Sequence, residues 1–490
     1  MGIFDRFTKS NDLPKPLTSD ADRSNIHALQ LILKDWLDSD IRKEQLLAEK
    51  YYEGDHDILR REKKVIGADG QLVTIDNVAN NKLVDNQYRK LVDQKTNYVL
   101  GKPITIATES DEYLAELIKI FNKRAHRKLR VLAQYAVDGG ISWLYPYYDD
   151  NLEFKLMVFP SYEMCPIWKD KEHTELHSAL RYYGETVLRD HGRHETINRV
   201  EWYTEDGIYH FIYRGGSLIP DETPRSDYFT QDGKGYNWER LPIIPFKYNH
   251  KEIPLIRNVK CLQDALNQVL SDFQNNMEED PRTSILVLKN YDGTNISEFR
   301  QNLATYGVIK VTTVDGVQGG VEALKVEVDA ANYQAILMQL KRAIVENGRG
   351  FDAKEERMDG DPNQMNIESM YTDIDLDVNG METEFQAGFE ELRWFIDQYL
   401  EMTKKTVNKD DEVEFVFNRD IFINEDAKID NVIKSVGVLS EKTLLSRHPW
   451  VTNVENEMKS LEEDKQKELK EMEIMNAFQQ PPKNGGSGGE

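Results

Sequence analysis

The sequence predicts an α+β protein in which helices predominate. Apolar residues recur at steps of three and four along most of the chain, which is the spacing of amphipathic helices. The block 141–250 instead alternates in polarity and is rich in Tyr, Trp, Ile, Val and Gly, which indicates antiparallel strands. A chain of 490 residues is too long for one core, so we expect two to four structural units.

The N-terminal part is predicted to be an arm followed by helices. Residues 1–24 are polar and contain two prolines, which predicts a flexible arm. Helical spacing then indicates three helices, and Gly101 followed by Pro103 is a strong stop for the second. The three helices are predicted over about 24–52, 82–100 and 111–138.

The block 141–250 is predicted to form strands joined by tight turns. Its segments LEFKLMVF and RVEWYTEDGIYHFIY alternate apolar and polar residues, as strands with one buried face do. Turn signals occur at Asp206-Gly207 and at Gly215-Gly216.

The central third predicts two long helices separated by a small β-containing insert. Apolar residues from Ile253 to Glu279 recur at helical steps, and an Asp-Pro pair ends this helix. Residues 285–328 follow the order strand, short helix, strand, glycine-rich turn and strand. Asp329 suits the N-cap of the second helix. The apolar stripe of that helix comprises Tyr333, Leu337, Leu340 and Ile344.

A loop, a very long helix and a smaller helical region follow. Residues 351–364 mix charges of both signs around Gly360 and Pro362, which indicates either a solvated linker or a mobile loop that touches a passing duplex. Helical periodicity then predicts one helix over 366–405. The remainder is predicted as a strand over 412–424, shorter helices over 426–475, the last opened by a capping box from Thr452 to Glu455, and a flexible tail over 476–490.

Charge and cysteine content limit the classes of function. The chain carries 62 Lys and Arg against 86 Asp and Glu, a net charge of −24, which disfavours tight nucleic-acid binding. An acidic surface serves solubility, and it also suits DNA that must slide without sticking; charge does not choose between the two. The two cysteines, Cys165 and Cys261, are too few for a disulfide framework or a cysteine zinc site. No run of about 18 apolar residues exists that could span a membrane.

The sequence contains no motif of a recognised catalytic, cofactor or metal site. Neither G-x-x-x-x-G-K-[ST] nor G-x-G-x-x-G occurs, so the chain lacks the phosphate cradle of a nucleotide-driven motor. H-E-x-x-H and G-x-S-x-G are also absent. We therefore expect no catalytic residues, no cofactor and no bound metal.

Two groups of residues resemble metal-binding patterns without matching them. His173 and His177 are four apart, but their segment is predicted as a strand, in which four residues span about 13 Å. Three aspartates and a glutamate match an EF-hand loop, but Val378 replaces the required Gly and a helical stripe runs through them. We expect these acids, Asp373, Asp375, Asp377 and Glu384, to face solvent or a neighbouring subunit.

The order of these parts resembles the portal proteins of long-tailed phages of Gram-positive hosts. The long-helix, β-insert, long-helix arrangement over 253–350 and the loop after it match that family's order of elements. Three further stretches carry the resemblance, namely YYEGDHDIL at 51–59, NNKLVDNQYRKLVDQKTNYVLGKPI at 80–104 and GVLSEKTLLSRHPWVTNVENEMKSLEE at 437–463.

The resemblance implies a fold of wing, stem, clip and crown. The stem helices would bury their apolar stripes against neighbouring subunits and leave polar faces for a channel. The implied parts are the wing at 25–252, the stem at 253–280 and 329–350, the clip at 281–328, the tunnel loop at 351–365, a long helix and returning wing strand at 366–424, the crown at 425–475 and a disordered tail at 476–490.

The resemblance also implies partners and a location. Family members form closed rings, commonly of twelve subunits, at one capsid vertex, and the ring is the conduit for DNA packaging and ejection. The implied partners are double-stranded DNA, bound weakly and without sequence specificity, the terminase, the head–tail connector, and the major capsid and scaffold proteins, with no membrane. The implied location is the virion, with the host cytoplasm during assembly.

Within the implied tunnel loop, Lys354 and Arg357 are the residues expected nearest to DNA. The expected loop hinges are Gly348, Gly350, Gly360 and Pro362. Two other classes stay open: a metal-dependent nuclease that uses the acidic clusters, and a monomeric cytosolic adaptor.

Overall fold

The structure is a computed structural model, and two compact units make up the chain. One unit comprises Met1–Asp352 with Asp373–Asp420, and the other comprises Ala353–Thr372 with Ile421–Glu490. The residues that the structure describes are 8–9, 20–66, 71–74, 79–189, 193–231, 233–279, 285–289, 320–324, 330–352, 364–409, 411–419, 429, 432–448, 450–451, 454, 457–462 and 464–467. No helix in these ranges is long and apolar enough to cross a membrane.

Helices form most of the framework, as the apolar periodicity predicts. Short 3-10 turns lie at Asp57–Arg60 and Ser161–Glu163. The α-helices are α1 (Asp20–Asp38), α2 (Asp40–Glu53), α3 (Gln87–Leu100), α4 (Asp111–Ile120), α5 (Lys123–Gly139), α6 (Ile256–Glu279), α7 (Ala330–Asn347), α8 (Gln364–Met402) and α9 (Glu441–Arg447).

Two of the predicted N-terminal helices are each interrupted by a capping residue. The helix predicted over 24–52 is α1 and α2, because the Ser39 hydroxyl accepts a hydrogen bond from the Arg42 N–H and starts a new helix. The helix predicted over 111–138 is α4 and α5, because Asn122 caps α5 through the N–H groups of Arg124 and Ala125. A single polar cap leaves the apolar periodicity almost unchanged, so the pattern does not show the break.

The prediction of a flexible arm over residues 1–24 is too broad. Helix α1 already begins at Asp20, and Thr8–Lys9 forms a short strand that pairs antiparallel with Lys234–Asn237. Both segments therefore belong to regular structure.

The strands follow the predicted block and add short pairs outside it. Turns at Gly207 and at Gly215-Gly216 adopt positive φ, as the turn signals predict. The strands are β1 (Thr8–Lys9), β2 (Lys64–Ile66), β3 (Leu72–Thr74), β4 (Thr105–Ala107), β5 (Ile141–Tyr148), β6 (Phe154–Phe159), β7 (Met164–Trp168), β8 (Leu176–Arg189), β9 (Arg193–Thr204), β10 (Gly207–Arg214), β11 (Ser217–Ser226), β12 (Phe229–Gln231), β13 (Lys234–Asn237), β14 (Ile244–Lys247), β15 (Ile285–Lys289), β16 (Gly320–Leu324) and β17 (Glu414–Val416).

The largest sheet has five antiparallel strands in the order β11-β10-β9-β8-β7. Helix α1 covers it with Leu29 and Leu33, which form a buried cluster with Leu180, Val200 and Phe211 of the sheet. Smaller sheets have the orders β14-β5-β6 and β1-β13-β12, and the predicted strand at 412–424 is β17, which pairs with β4.

Helices α6 and α7 pack as an antiparallel hairpin. Near the end of α6, the Phe273 ring lies 5.0 Å from the Tyr333 ring near the start of α7, and Asn276 donates a 2.9 Å hydrogen bond to the Tyr333 hydroxyl. At the other end, Val259 of α6 lies beside Gly348, which follows α7. Of the predicted insert between them, the structure describes β15 and β16, which pair antiparallel; the rest of the insert and the cap residue Asp329 lie outside the described residues.

Helix α8 spans 39 residues, as its periodicity predicts. Its Phe385 and Phe389 are fully buried and pack edge-on against Phe246 of β14, while Phe389 stacks on Phe415 of β17. Gly388 permits this approach, because a Cβ there would lie 2.8 Å from the Phe246 ring.

The second unit contains short helical segments, in agreement with the prediction for 426–475. Ser440 caps α9 by accepting a hydrogen bond from the Thr443 N–H. Lys465 pairs with Glu441 of α9 at 2.9 Å. The predicted capping box from Thr452 to Glu455 lies outside the described residues.

The two cysteines differ in environment. Cys165 of β7 is buried, and burial raises the pKa of its thiol to about 12. Cys261 is exposed on α6.

Candidate functional site

The chain leaves α7 through a tight cap at the start of the predicted tunnel loop. The N–H of Gly350 donates to the Val345 carbonyl at 2.8 Å, and Arg349 between the glycines adopts a left-handed φ of 47°. The structure describes the chain after α7 as far as Asp352, and we call residues Gly348–Asp352 the loop root.

The two glycines of the loop root permit close packing against α3. A Cβ on Gly348 would lie 2.5 Å from a Leu91 methyl group and 2.9 Å from the Ile344 carbonyl oxygen, and a Cβ on Gly350 would collide with the other Leu91 methyl group. The hinge role of Gly348 and Gly350 remains a prediction.

Polar side chains of α3 hold the loop root through its backbone. Gln94 donates to the Phe351 carbonyl at 2.5 Å and accepts from the Phe351 N–H at 2.9 Å, so one amide satisfies both backbone groups. Lys95 donates to the Arg349 carbonyl at 3.0 Å. Helix α3 therefore fixes the backbone at residues 349 and 351.

The Lys95 ammonium is the centre of this contact. Its side chain is fully buried and pairs with the Asp377 carboxylate of α8 at 2.6 Å. The Tyr248 hydroxyl donates to the same carboxylate, and the Arg349 guanidinium lies 3.8 Å from it. Burial lowers the pKa of Lys95, and Asp377 opposes that shift by stabilising the charged form.

The acids that resemble an EF-hand lie on α8 and have protein partners. Asp377 pairs with Lys95, and Asp375 accepts a 2.6 Å hydrogen bond from Tyr98 and pairs with Arg419 at 2.7 Å. The expectation that they face solvent or a neighbouring subunit is wrong for these two, because α3 and the segment after β17 supply their counter-groups. The described residues contain no group of three or more His, Cys, Asp or Glu side chains placed to hold a metal ion.

The histidine pair of the sequence is also separated. His173 lies in a turn with a φ of 59°, where its ring stacks on Trp168 and contacts the Glu252 carboxylate at 2.9 Å. His177 lies in β8, as predicted.

A row of buried polar side chains on α6 holds the segment that leads into α3. Each member accepts a hydrogen bond from a backbone N–H between residues 81 and 88, at distances from 2.7 to 3.0 Å. We call this row the polar ladder; its members are Gln263, Asn267, Ser271 and Asn275. Helix α3 consequently begins at Gln87, not near Lys82, because the backbone of residues 81–86 bonds to α6 and is not helical.

The polar ladder limits which polar residues of α6 could face a channel. The resemblance implies polar faces left for a channel, but the four ladder residues are at most 2% exposed and face the chain's own backbone. Their spacing of four residues places them on one side of the helix. The sequence shows that this side is polar but not that it is buried.

His56 extends the polar ladder. Its Nδ1 lies 2.8 Å from the Asn267 amide nitrogen, and its Nε2 lies 3.1 Å from the Tyr51 carbonyl oxygen. This arrangement requires a neutral ring protonated at Nε2, and burial lowers the pKa of His56 accordingly.

The other predicted site residues cannot be placed. Lys354, Arg357, Gly360 and Pro362 lie outside the described residues. Sequence reasoning missed Gln94, the ladder residues and the ion pair of Lys95. Gln94 and Lys95 lie in NNKLVDNQYRKLVDQKTNYVLGKPI, one of the stretches that carry the family resemblance, whereas the ladder residues lie outside it.

Comparison with known proteins gives consistent results. A family model described as "Phage portal protein, SPP1 Gp6-like" matches residues 38–471. The portal protein of Bacillus phage SPP1 is 28% identical over 423 residues, covering 85% of this chain and 82% of the relative. The portal protein of Clostridium phage phiCD119 is 27% identical over 435 residues, covering 86% and 93%.

Solved structures give weaker matches. A chain from "Neck of native GTA particle computed with C12 symmetry" matches with a TM-score of 0.40 and 11% identity, covering 74% of this chain and 89% of that one. A chain from "Neck of empty GTA particle computed with C6 symmetry" also has a TM-score of 0.40, with 12% identity.

Proposed function

The chain belongs to the SPP1 Gp6-like family of phage portal proteins and has a portal function; we propose that it performs this function as a closed ring, of twelve subunits, through which double-stranded DNA enters and leaves the capsid. In this proposal, 25–252 and the returning strand β17 form the wing, α6 and α7 form the stem, 281–328 forms the clip and 425–475 forms the crown.

The exposed apolar side chains of the α6–α7 hairpin are the observation that carries the ring. Met277 is 51% exposed, Ile336 is 46% exposed and Met338 is 64% exposed. A neighbouring hairpin would remove these side chains from water, and an interface that repeats head to tail closes into a ring.

The loop root supports the proposal that residues 351–365 form the tunnel loop. Lys95 and Gln94 fix the backbone at Arg349 and Phe351, so the loop starts from a defined position. Lys354 and Arg357 follow within six residues and are the side chains we propose nearest to DNA.

Family membership supports the remaining partners. Portal proteins are structural components of the virion, and we propose that the clip contacts the terminase and then the head–tail connector, while major capsid and scaffold proteins surround the ring. We also propose that the subunit has no enzymatic activity of its own and that it assembles in the host cytoplasm.

The ring is tested by negative-stain electron microscopy and sedimentation of the full chain. We expect rings for the unmodified chain and monomers for the Ile336→Asp/Met338→Asp variant, because charge at an apolar contact opposes association. The subunit of the variant should have the same melting temperature as the unmodified subunit, because the two substituted side chains are exposed.

Leu188→Asp is the matched control. Leu188 is 65% exposed in β8, outside the hairpin, and its variant should still form rings. Monomers of the unmodified chain under all assembly conditions, or rings of unchanged yield from the hairpin variant, would contradict the proposal.

A further inference from the structure

Helix α5 opens with the most basic segment of an acidic chain. The sequence KRAHRKLR occupies residues 123–130, although the whole chain carries a net charge of −24. We call the exposed cationic side chains of this segment the α5 basic patch; they are Lys123, Arg124, Arg127, Lys128 and Arg130.

These cations differ from Arg181 and Arg419 of the same unit in having no carboxylate partner among the described residues. Arg181 pairs with Glu163 at 3.0 Å, and Arg419 pairs with Asp375 at 2.7 Å. No member of the α5 basic patch forms an ion pair with a carboxylate of the described residues. Arg130 donates instead to the neutral Asn97 side chain at 2.6 Å. The patch thus presents uncompensated positive charge.

A concave pocket of about 300 Å³ adjoins the α5 basic patch, between α3 and α5. The groups that line it include Thr96, Asn97, Lys123, His126, Arg127 and Arg130. Asp93 also lines it, but this carboxylate accepts a 2.8 Å hydrogen bond from Tyr52 and lies 3.6 Å from Arg89. The remaining cations therefore face the pocket without a matched anion.

Two buried polar atoms in this pocket lack a hydrogen-bond partner in the described part of the chain. Thr96 is only 6% exposed, and its hydroxyl has no partner. The Nδ1 atom of His126 has none either. Buried polar groups are rarely left unpaired, because each unpaired group destabilises the folded chain. Both residues line the pocket, so an anionic ligand there would lie beside polar groups that have no partner among the described residues.

We propose that the α5 basic patch and its pocket bind the phosphate backbone of double-stranded DNA, with one phosphate group in the pocket. The Thr96 hydroxyl and the Arg127 and Arg130 guanidinium groups donate to that phosphate. The patch extends about 10 Å along the helix from Lys123 to Arg130, so it engages further phosphates of the same backbone.

DNA is favoured over an isolated carboxylate because the cations form a continuous row, which is the electrostatic footprint of a polyanion. This proposal rests on the proposed function for the source of the DNA. It places a DNA contact in the predicted wing, separate from the tunnel loop.

The binding experiment uses the full chain and a short fluorescent duplex of random sequence, followed by anisotropy over a salt series. For Lys123→Gln/Arg127→Gln/Arg130→Gln we expect binding weakened by about tenfold or more at low salt. The slope of log affinity against log salt should fall by about 2 to 3, since each lost phosphate contact removes nearly one unit.

The matched control removes the same charge elsewhere. Lys34→Gln/Lys171→Gln/Lys251→Gln neutralises three exposed lysines outside the α5 basic patch. It should leave the affinity and the slope close to those of the unmodified chain. Equal losses in the two triple variants would overturn the proposal, because only net charge would then matter.

Thr96→Val tests the pocket itself. Removing the hydroxyl at nearly constant shape should weaken DNA binding by about tenfold, the effect of one hydrogen bond to a charged group, while the salt slope stays unchanged because no charge is lost. An affinity unaffected by Thr96→Val would overturn the placement of a phosphate in the pocket.

Electron microscopy of the same samples separates this inference from the proposed function. Rings in the patch variant with weakened DNA binding support the site. Loss of rings in the patch variant alone would assign the α5 basic patch to a subunit contact and overturn the site. Binding to poly-glutamate is measured in parallel. A patch variant that still binds DNA fully but no longer binds poly-glutamate would assign the α5 basic patch to an acidic protein and overturn the site. Absence of rings in every sample, with DNA binding still dependent on the patch, would contradict the ring and not the site.

Discussion

The polar ladder and the contact of α3 with the loop root both bury polar side chains against the backbone of another segment, but they bury different groups. The ladder uses uncharged amides and a hydroxyl, each with its own backbone N–H between residues 81 and 88. The contact at the loop root depends on the Lys95 ammonium of α3. Tyr248 and Arg349 converge with Lys95 on the single carboxylate of Asp377.

The two arrangements differ in how the loss of one side chain affects the remaining polar groups. When one ladder member is lost, the others keep their backbone partners, because each member binds different N–H groups. Loss of Asp377 would leave a buried ammonium without its counter-charge, which is among the costliest defects in a folded protein. The ladder should therefore tolerate substitution better than the Lys95–Asp377 ion pair at the loop root.

Asp377→Ala should give the largest effect and is the strongest test of this difference. We expect the free energy of unfolding to fall by about 3–5 kcal/mol, because Lys95 would remain buried and unpaired. Urea unfolding measures the loss.

Two further variants define the cause. Asp373→Ala removes an exposed carboxylate one turn earlier on α8 and should change stability by less than about 0.5 kcal/mol. Lys95→Met/Asp377→Leu removes both charges and should recover much of the loss. If Asp377→Ala and Asp373→Ala have equal effects, the buried ion pair is not the cause.

Asn267→Ala should have the next largest effect and tests the ladder at its most connected member. Asn267 accepts from the Asp85 N–H at 3.0 Å and from Gln263 at 3.1 Å, so its loss strands buried donors. We expect a loss of about 2–3 kcal/mol in unfolding free energy, also measured in urea.

Gln274→Ala is the control on the same helix, since Gln274 is exposed and, within the described part of the chain, its side chain hydrogen-bonds Glu278 alone, at 3.4 Å. Its effect should stay within about 0.5 kcal/mol. A loss from Asn267→Ala that exceeds the loss from Asp377→Ala would reverse the comparison.

His56 should give the smallest effect, and it sharpens the comparison by making one end of the ladder sensitive to pH. Its pKa is lowered by burial, so as the pH falls below about 6.5 the unfolded chain binds a proton here that the folded chain resists. Stability should consequently decrease between about pH 7 and pH 5. The urea midpoint is measured as a function of pH over this range for the unmodified chain and for His56→Gln. We expect the midpoint to fall more steeply in the unmodified chain. Parallel curves would exclude His56 as the source of the pH dependence.

The sequence was sufficient for the long elements of the fold. The stripe from Ile367 to Ile396 predicts α8, and the stripes on either side of the insert predict α6 and α7, because a buried face repeated over many turns leaves a clear period. The breaks at Ser39 and Asn122 were not predicted, since a cap is one residue within an otherwise continuous pattern.

The site was much less predictable. Lys95 shares one side of its predicted helix with Leu91 and Val99, but only the fold brings it to Asp377, which is 282 residues away. The ladder residues look like a solvated polar face, because their burial against residues 81–88 of the same chain depends on tertiary contacts. Glycine positions were the better guide, since Gly348 and Gly350 do mark the loop root.

The unequal environments of the two thiols have a practical consequence. Cys165 is buried with a raised pKa, whereas Cys261 is exposed on α6, so a maleimide dye would attach at one position of the unmodified chain. Each subunit would then carry a single fluorophore on a predicted stem helix. Stepwise photobleaching of one labelled particle would count its subunits directly, without any engineered residue.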